Sequence, residues 1–237
     1  MSGMAKYALA LEASPSPSPR TIGWVWILYF ATGGLGVLLT RGILVPTDAT
    51  ATAHNIVAHA NLWRAGFAID LAANLIYVAL TGLLYGFFRR VNPTLALIAA
   101  FFSLAGCTVQ IMGELLRLAP TVVLPNAPLA TAFGAPQLQA ASLLSMLLYR
   151  SVFQISFVLF ACFELATGFL ILKSEFLPRW IGWWWIAGGI GGLTFLWSPL
   201  ATAIWPLLAA AGAGEFVLPV WLLVSGASRT RGSSAAQ

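Results

Sequence analysis

Charged side chains are scarce in this sequence. Only 8% of its 237 residues are Asp, Glu, Lys or Arg, whereas 59% are hydrophobic and the mean hydropathy is +0.87. A water-soluble domain usually carries about 25% charged residues, so these few charges cannot cover a water-exposed surface of this size. The scarcity excludes an ordinary soluble protein and indicates that lipid is the solvent for much of the surface.

Cysteine and histidine are also rare, with two residues of each. Cys107 and Cys162 stand alone in apolar runs, which excludes a disulfide framework and favours ordinary packing. His54 and His59 are five residues apart and therefore do not share a helix face as a zinc-binding pair would, so we predict no metal and no cofactor. The net charge of +5 is spread over the ends of apolar runs, which argues against a nucleic-acid partner.

Long apolar runs are what the sequence has in place of charge. Most approach the ~20 residues that a helix needs to cross a ~30 Å hydrocarbon core, and each must be helical because lipid cannot satisfy open backbone groups. The six runs cover residues 22–43, 66–88, 95–118, 151–172, 180–197 and 206–225. We predict an all-α bundle of six transmembrane helices, with one or two short interfacial helices on the outer side.

The chain divides into a transmembrane domain, 21–227, and two cytoplasmic tails, 1–20 and 228–237. The first tail ends in alternating Ser and Pro, which cannot form a helix and indicates disorder. With six crossings, eight of the twelve Lys and Arg residues fall on the side of the tails. Because cytoplasmic loops are enriched in basic residues, both termini are predicted to lie in the cytoplasm.

Two connections on the predicted outer side are long. Asp48 or Thr47 can cap a helix that begins just after them. A straight helix over residues 48–88 would be ~60 Å long, about twice the bilayer core, so we expect it to bend near Gly66 or to project outward. The second connection, residues 119–136, holds four prolines and is predicted to be an irregular loop.

Polar side chains inside the spans are the candidate site residues. A charge at the bilayer centre costs at least ~2.5–3.5 kcal/mol, so it normally faces a partner or a cavity. On three predicted helices such residues recur at four-residue spacing and at similar depth, and we expect them to converge. The predicted ligand-binding residues are Arg64, Asp70, Asn74, Gln110, Glu114, Arg150 and Gln154.

This predicted cluster has two interpretations. It is either a polar cavity open to the outside that holds the head group of a membrane lipid or a small amphiphile, with Arg64 and Arg150 as anion contacts, or a set of ion pairs that locks three helices together. Arg117, three residues after Glu114, belongs to the same face. A cavity would favour the binding interpretation, and complete pairing would favour an accessory subunit without a site.

Two more carboxyl groups, Glu164 and Glu215, fall near the middle of the fourth and sixth runs. Pro219 cannot donate to the carbonyl of residue 215, so the sixth helix is predicted to kink there and to leave that oxygen free. The pair is either a proton or ion site of a coupled transporter, or two protonated acids bonded to the backbone.

Several segments, in order, resemble domain-of-unknown-function family 4386. They are RGxLVPxDAxATAxNI at 41–56, LWRxGFxxDL at 62–71, VNPxLAL at 91–97, QLQA at 137–140 and FLPR at 176–179. The resemblance covers nearly everything after the N-terminal tail. It implies a multi-pass protein of the bacterial cytoplasmic membrane and no assigned activity.

Three positions depart from that family pattern. Ala60 stands where an acidic residue is common, and Tyr149 and Gln154 stand where His and Asn are frequent, so a chemistry that needs those residues would be absent here. An intramembrane enzyme that uses His59 with a carboxylate remains a further alternative to binding and transport. No catalytic residue is predicted.

Overall fold

Every regular element that the structure describes is helical. The computed structural model describes residues 16–234, and residues 1–15 of the predicted N-terminal tail lie outside them. The helices are α1 (Pro19–Thr40), α2 (Ala49–Ala58), α3 (Ala60–Phe88), α4 (Pro93–Val123), α5 (Ala127–Ala132), α6 (Ala135–Lys173), α7 (Arg179–Leu193), α8 (Ser198–Ala203), α9 (Trp205–Gly212) and α10 (Gly214–Ser234). A 3₁₀ turn, Thr194–Leu196, follows α7. The predicted all-α fold is confirmed for this part of the chain.

Four of these helices are long and apolar enough to cross a membrane, judged by length and composition. They are α1, α3, α4 and α6, with 22, 29, 31 and 39 residues. The fifth predicted run forms the 15-residue α7, and the sixth is interrupted at Ala213 between α9 and α10. The chain is therefore a helical membrane protein in which two shorter helices accompany four long ones.

The six longer helices form a ring. Each of α1, α3, α4, α6 and α7 packs on the next, and α10 closes the ring by packing on α1 and α7. Aromatic side chains fill its centre: Tyr77 meets Phe160 and Phe163 edge-on at 5.2 and 6.3 Å, and Trp26 meets Trp185 at 5.5 Å. Because lipid is as apolar as these side chains, close packing rather than hydrophobic burial holds such helices together.

The first of the two long connections confirms one prediction and corrects another. Asp48 caps α2, since its Oδ1 accepts a hydrogen bond from the Ala51 backbone N–H at 2.9 Å. The helical path breaks at His59, whose φ of −115° and ψ of 32° are not helical, and not near Gly66. Gly66 lies inside α3, where its missing side chain makes room for a neighbouring helix.

The second long connection is more regular than predicted. Residues 119–136 are not an irregular loop: α4 continues through Pro120 to Val123, and the short α5 follows. Asn126 caps α5 by accepting a hydrogen bond from the Leu129 N–H at 3.1 Å. Prolines in the first turns of α5 and α6 need no N–H partner there, so proline content alone does not indicate a loop.

Candidate functional site

Four of the seven predicted ligand-binding residues line one cavity. The cavity has a volume of about 270 Å³ and is enclosed by α1, α3, α4 and α6. We name it the Asp70 cavity. Its predicted polar residues are Asp70 and Asn74 from α3 and Gln110 and Glu114 from α4. The other lining residues are Tyr29, Phe30, Gly33, Gly34, Val37, Ala73, Tyr149 and Phe153. The structure thus brings together the polar faces of two helices, as their spacing predicted.

Arg117 is the centre of the charge network behind this cavity. Its guanidinium group donates a hydrogen bond to Asp70 Oδ2, which joins α4 to α3. The same group lies 3.8 Å from Glu114 Oε2, which is too long for a hydrogen bond, and it donates to Thr40 Oγ1 of α1 at 3.4 Å. Arg117 is only 4% exposed, so its charge depends on these partners.

An aromatic side chain that does not line the cavity covers the ion pair. The Arg117 guanidinium lies 5.1 Å from the centre of the Trp63 ring, a cation–π distance, and the Trp63 indole N–H donates to the Arg117 carbonyl at 3.0 Å. Trp63 packs with Ile43, Ile56 and Met146 in a small apolar cluster. This cluster, built partly from α2, excludes solvent from the pair and strengthens it.

Two glycines make room for this network. A Cβ atom on Gly36 of α1 would overlap Asp70 Oδ1, and a Cβ on Gly66 of α3 would lie 2.8 Å from a guanidinium nitrogen of Arg117. Both distances are shorter than real Cβ contacts, so larger residues would displace the ion pair. The absence of side chains at these positions lets α1, α3 and α4 approach around it.

The lining of the Asp70 cavity is acidic. Asp70 and Glu114 contribute two carboxyl groups, and Arg117 provides one opposing charge from behind the wall. The Tyr149 hydroxyl donates to Glu114 Oε1 at 3.0 Å, but Glu114 Oε2 is buried without a hydrogen-bond partner. Among the described residues that line the cavity none is basic, so the wall favours a ligand that donates hydrogen bonds or carries positive charge.

The other three predicted residues do not line this cavity. Arg64 and Arg150 are exposed, and Gln154 lines a separate groove of about 340 Å³ beside the 3₁₀ turn. On α6 the residues that face the cavity are instead Tyr149 and Phe153, each one position earlier than predicted. One position corresponds to about 100° on a helix, which is enough to turn Arg150 and Gln154 away. The predicted anion contacts are therefore not part of this cavity.

The mouth of the Asp70 cavity lies between α1 and α6. Phe216, near the start of α10, stacks on Phe30 at 4.0 Å. The part of α1 that follows Phe30 is therefore not covered by α10. A Cβ on Gly33 or Gly34 would have no atom within 4 Å, and Val37 is 67% exposed. The cavity therefore opens sideways, toward the surface that lipid covers.

Glu164 and Glu215 come together in a second cavity. We name it the Glu164 cavity. It has a volume of about 210 Å³, and α6, α7, α9 and α10 line it, with Glu164 on α6 and Glu215 on α10. The chain turns at Ala213, so Glu215 lies in the first turn of α10 and Pro219 lies inside that helix. The described residues form no metal site at His59, since no three His, Cys, Asp or Glu side chains converge within residues 16–234.

Comparison with known proteins gives a family but no characterised relative. No curated protein and no solved structure matches the chain. A family model described as a domain of unknown function, DUF4386, matches residues 21–226. That match includes every residue of both cavities. The chain therefore belongs to the DUF4386 family.

Proposed function

We propose that this membrane protein binds an amphiphile, such as a membrane lipid, whose head group occupies the Asp70 cavity. The observation that carries the proposal is a polar cavity with two carboxyl groups that opens sideways between two lipid-facing helices. A ligand dissolved in the bilayer reaches such a mouth without crossing water. The head group is expected to donate hydrogen bonds or to carry an ammonium charge, because Glu114 Oε2 and the Asp70 carboxyl group are the acceptors on offer.

The size of the cavity fits a ligand whose head group is bound inside and whose tail remains outside. Whole-ligand pockets usually measure about 300–1,000 Å³, and about 270 Å³ is enough for a head group only. Apolar side chains at the mouth, Val37 and Phe153, are exposed and would contact the tail. Head-group specificity is thus assigned to α3 and α4, and tail contact to α1 and α6.

Filling the cavity is the direct test. Gly33 lines the cavity and a side chain there meets no atom within 4 Å, so Gly33→Leu should fill the binding space without disturbing the fold. Glu114→Gln should also weaken binding, about tenfold or more, because a hydrogen bond to a charged group contributes ~1.5–3 kcal/mol. The measurement is mass spectrometry of lipids that remain bound after purification from native membranes.

The matched control is Gly82→Leu on α3. Gly82 also has open space around it but does not line the cavity, so this variant should retain the bound amphiphile. Equal lipid retention in Gly33→Leu, Gly82→Leu and the unmodified protein would refute the proposal. So would a purified protein that carries no amphiphile at all.

We also propose that the chain lies in the bacterial cytoplasmic membrane with six crossings and both ends in the cytoplasm. The chain-order ring of α1, α3, α4, α6, α7 and α10 supports alternating crossings. Eight basic residues fall on one side, and Arg117 on the other side is buried in an ion pair, which strengthens the charge bias. A reporter fused after Gln237 should be active only as a cytoplasmic fusion; activity of a periplasm-specific reporter there would contradict six crossings.

The other functional alternatives have less support from the geometry. A coupled transporter would use Glu164 and Glu215, which do share a cavity, but a shared cavity is evidence of binding and not of movement across the membrane. An enzyme based on His59 would need a convergent carboxylate, and His59 is exposed at the break between α2 and α3. An accessory subunit without a site is disfavoured by the Asp70 cavity itself.

A further inference from the structure

The Glu164 cavity combines carboxyl groups with aromatic walls. Glu164 projects from α6 and Glu215 from α10, and both line the same space. Four of the nine other lining residues are aromatic, namely Phe157, Phe160, Phe195 and Trp205. Phe157 and Phe195 are stacked at 5.1 Å, so two of the rings form a continuous wall. The remaining lining residues are Ala161, Gly188, Gly192, Leu208 and Gly212.

Such a wall favours one kind of cation. The π faces of aromatic rings attract ammonium groups, and aromatic cages bind quaternary ammonium ions in this way. A hard metal ion such as Mg²⁺ or Ca²⁺ needs about six oxygen ligands. Beyond Glu164 and Glu215 the described lining residues carry no side-chain oxygen, so a metal ion would lack most of its ligands.

The carboxyl pair fixes the charge of the ligand. Glu164 and Glu215 are the only ionisable side chains in the described lining of this cavity, and a carboxyl group carries charge of one sign only. No basic residue is present in that lining to neutralise them, so the cavity favours a cationic ligand.

We infer that the Glu164 cavity is a binding site for a small organic ammonium ion. The ammonium charge faces Glu164 and Glu215, and its alkyl groups contact Trp205 and the phenylalanine rings. The volume of about 210 Å³ suits a head of a few methyl or ethyl groups. The site is independent of the proposed amphiphile site.

One layer of aromatic side chains separates the two cavities. Phe30, which lines the Asp70 cavity, stacks on Phe216, the neighbour of Glu215. Phe153 of the Asp70 cavity meets Phe157 of the Glu164 cavity at 5.0 Å. Because the two cavities have no lining residue in common, each can be mutated separately and its occupancy measured.

Equilibrium dialysis of the full chain in lipid nanodiscs with radiolabelled choline tests the inference. Choline should bind with a stoichiometry of one, and 3,3-dimethylbutan-1-ol, its uncharged analogue, should not compete. Glu215→Gln should weaken binding at least tenfold. Trp205→Leu should weaken it by about 2- to 30-fold, the range for a cation–π contact. Trp197→Leu is the matched control, because Trp197 is similarly exposed and lines neither cavity.

The outcomes separate this site from the proposed amphiphile site. Choline binding that is lost in Glu114→Gln but retained in Glu215→Gln would place the cation in the Asp70 cavity and overturn the inference. Equal competition by the uncharged analogue would also overturn it, since charge would then play no part. Gly33→Leu should leave choline binding unchanged even if it abolishes amphiphile binding. Failure of one proposal therefore does not imply failure of the other.

Discussion

Replacing Arg117 by methionine is expected to lower the free energy of unfolding by about 3–5 kcal/mol. Removing one partner of a buried ion pair leaves the other charge without compensation, and that loss has this magnitude. Here two carboxyl groups, Asp70 and Glu114, lose their only described basic partner, and both side chains are at least four-fifths buried. The measurement is unfolding in mixed micelles, titrated with a denaturing detergent and followed by circular dichroism.

Two further variants test the cause of that loss. Arg117→Met combined with Asp70→Asn should recover a large part of the stability, because the isosteric amide leaves no buried negative charge at residue 70. Arg64→Met should change stability by no more than about 0.5 kcal/mol, since Arg64 is exposed. If Arg117→Met is as mild as Arg64→Met, the network does not hold α1, α3 and α4 together.

Replacing Gly168 by valine should destabilise the contact between α6 and α7 by about 1–3 kcal/mol, the usual cost of overpacking. A Cβ there would lie 2.9 Å from the carbonyl oxygen of Gly182 and 3.0 Å from the backbone N of Ile186. Both are backbone atoms, so no side-chain rotation can relieve the clash and the helices must separate. The same unfolding titration measures the change.

Gly82→Val provides the comparison on a helix of the same bundle. A Cβ on Gly82 meets no atom within 4 Å, and the substitution should shift stability by less than about 0.5 kcal/mol. Equal losses in Gly168→Val and Gly82→Val would indicate a general intolerance of valine. They would then provide no evidence for close backbone packing at Gly168.

The polar cluster shows what four-residue spacing can predict about a site and what it cannot. Spacing placed Asp70 with Asn74 and Gln110 with Glu114 on single faces, and these faces do meet in one cavity. On α6 the spacing predicted cavity-facing residues that are one position too late, because the rotation of a helix about its axis is set by what it packs against. Gly113 of α4 receives Val152 of α6, with a would-be Cβ only 2.9 Å from Val152 Cγ1, and this contact turns Tyr149 and Phe153 inward.

Arg117 was recognisable on the same face as Glu114, but its role was not. Nothing in the sequence shows that the small size of Gly36 and Gly66 admits the ion pair, or that Trp63 covers the guanidinium. The two predicted interpretations, cavity and ion pairing, also proved compatible. Asp70 and Glu114 take part in the charge network and also line the cavity.

The amino-acid sequence by itself determined the class of this protein. A chain with so few charges and six long apolar runs must satisfy its backbone within helices in lipid, which leaves an all-α membrane bundle as the outcome. The tertiary structure alone decided which polar groups share a cavity, where the helical path breaks and where the bundle opens. Those features depend on contacts of one helix with another, often where a glycine lacks a side chain, and such contacts leave no periodic signal along the chain.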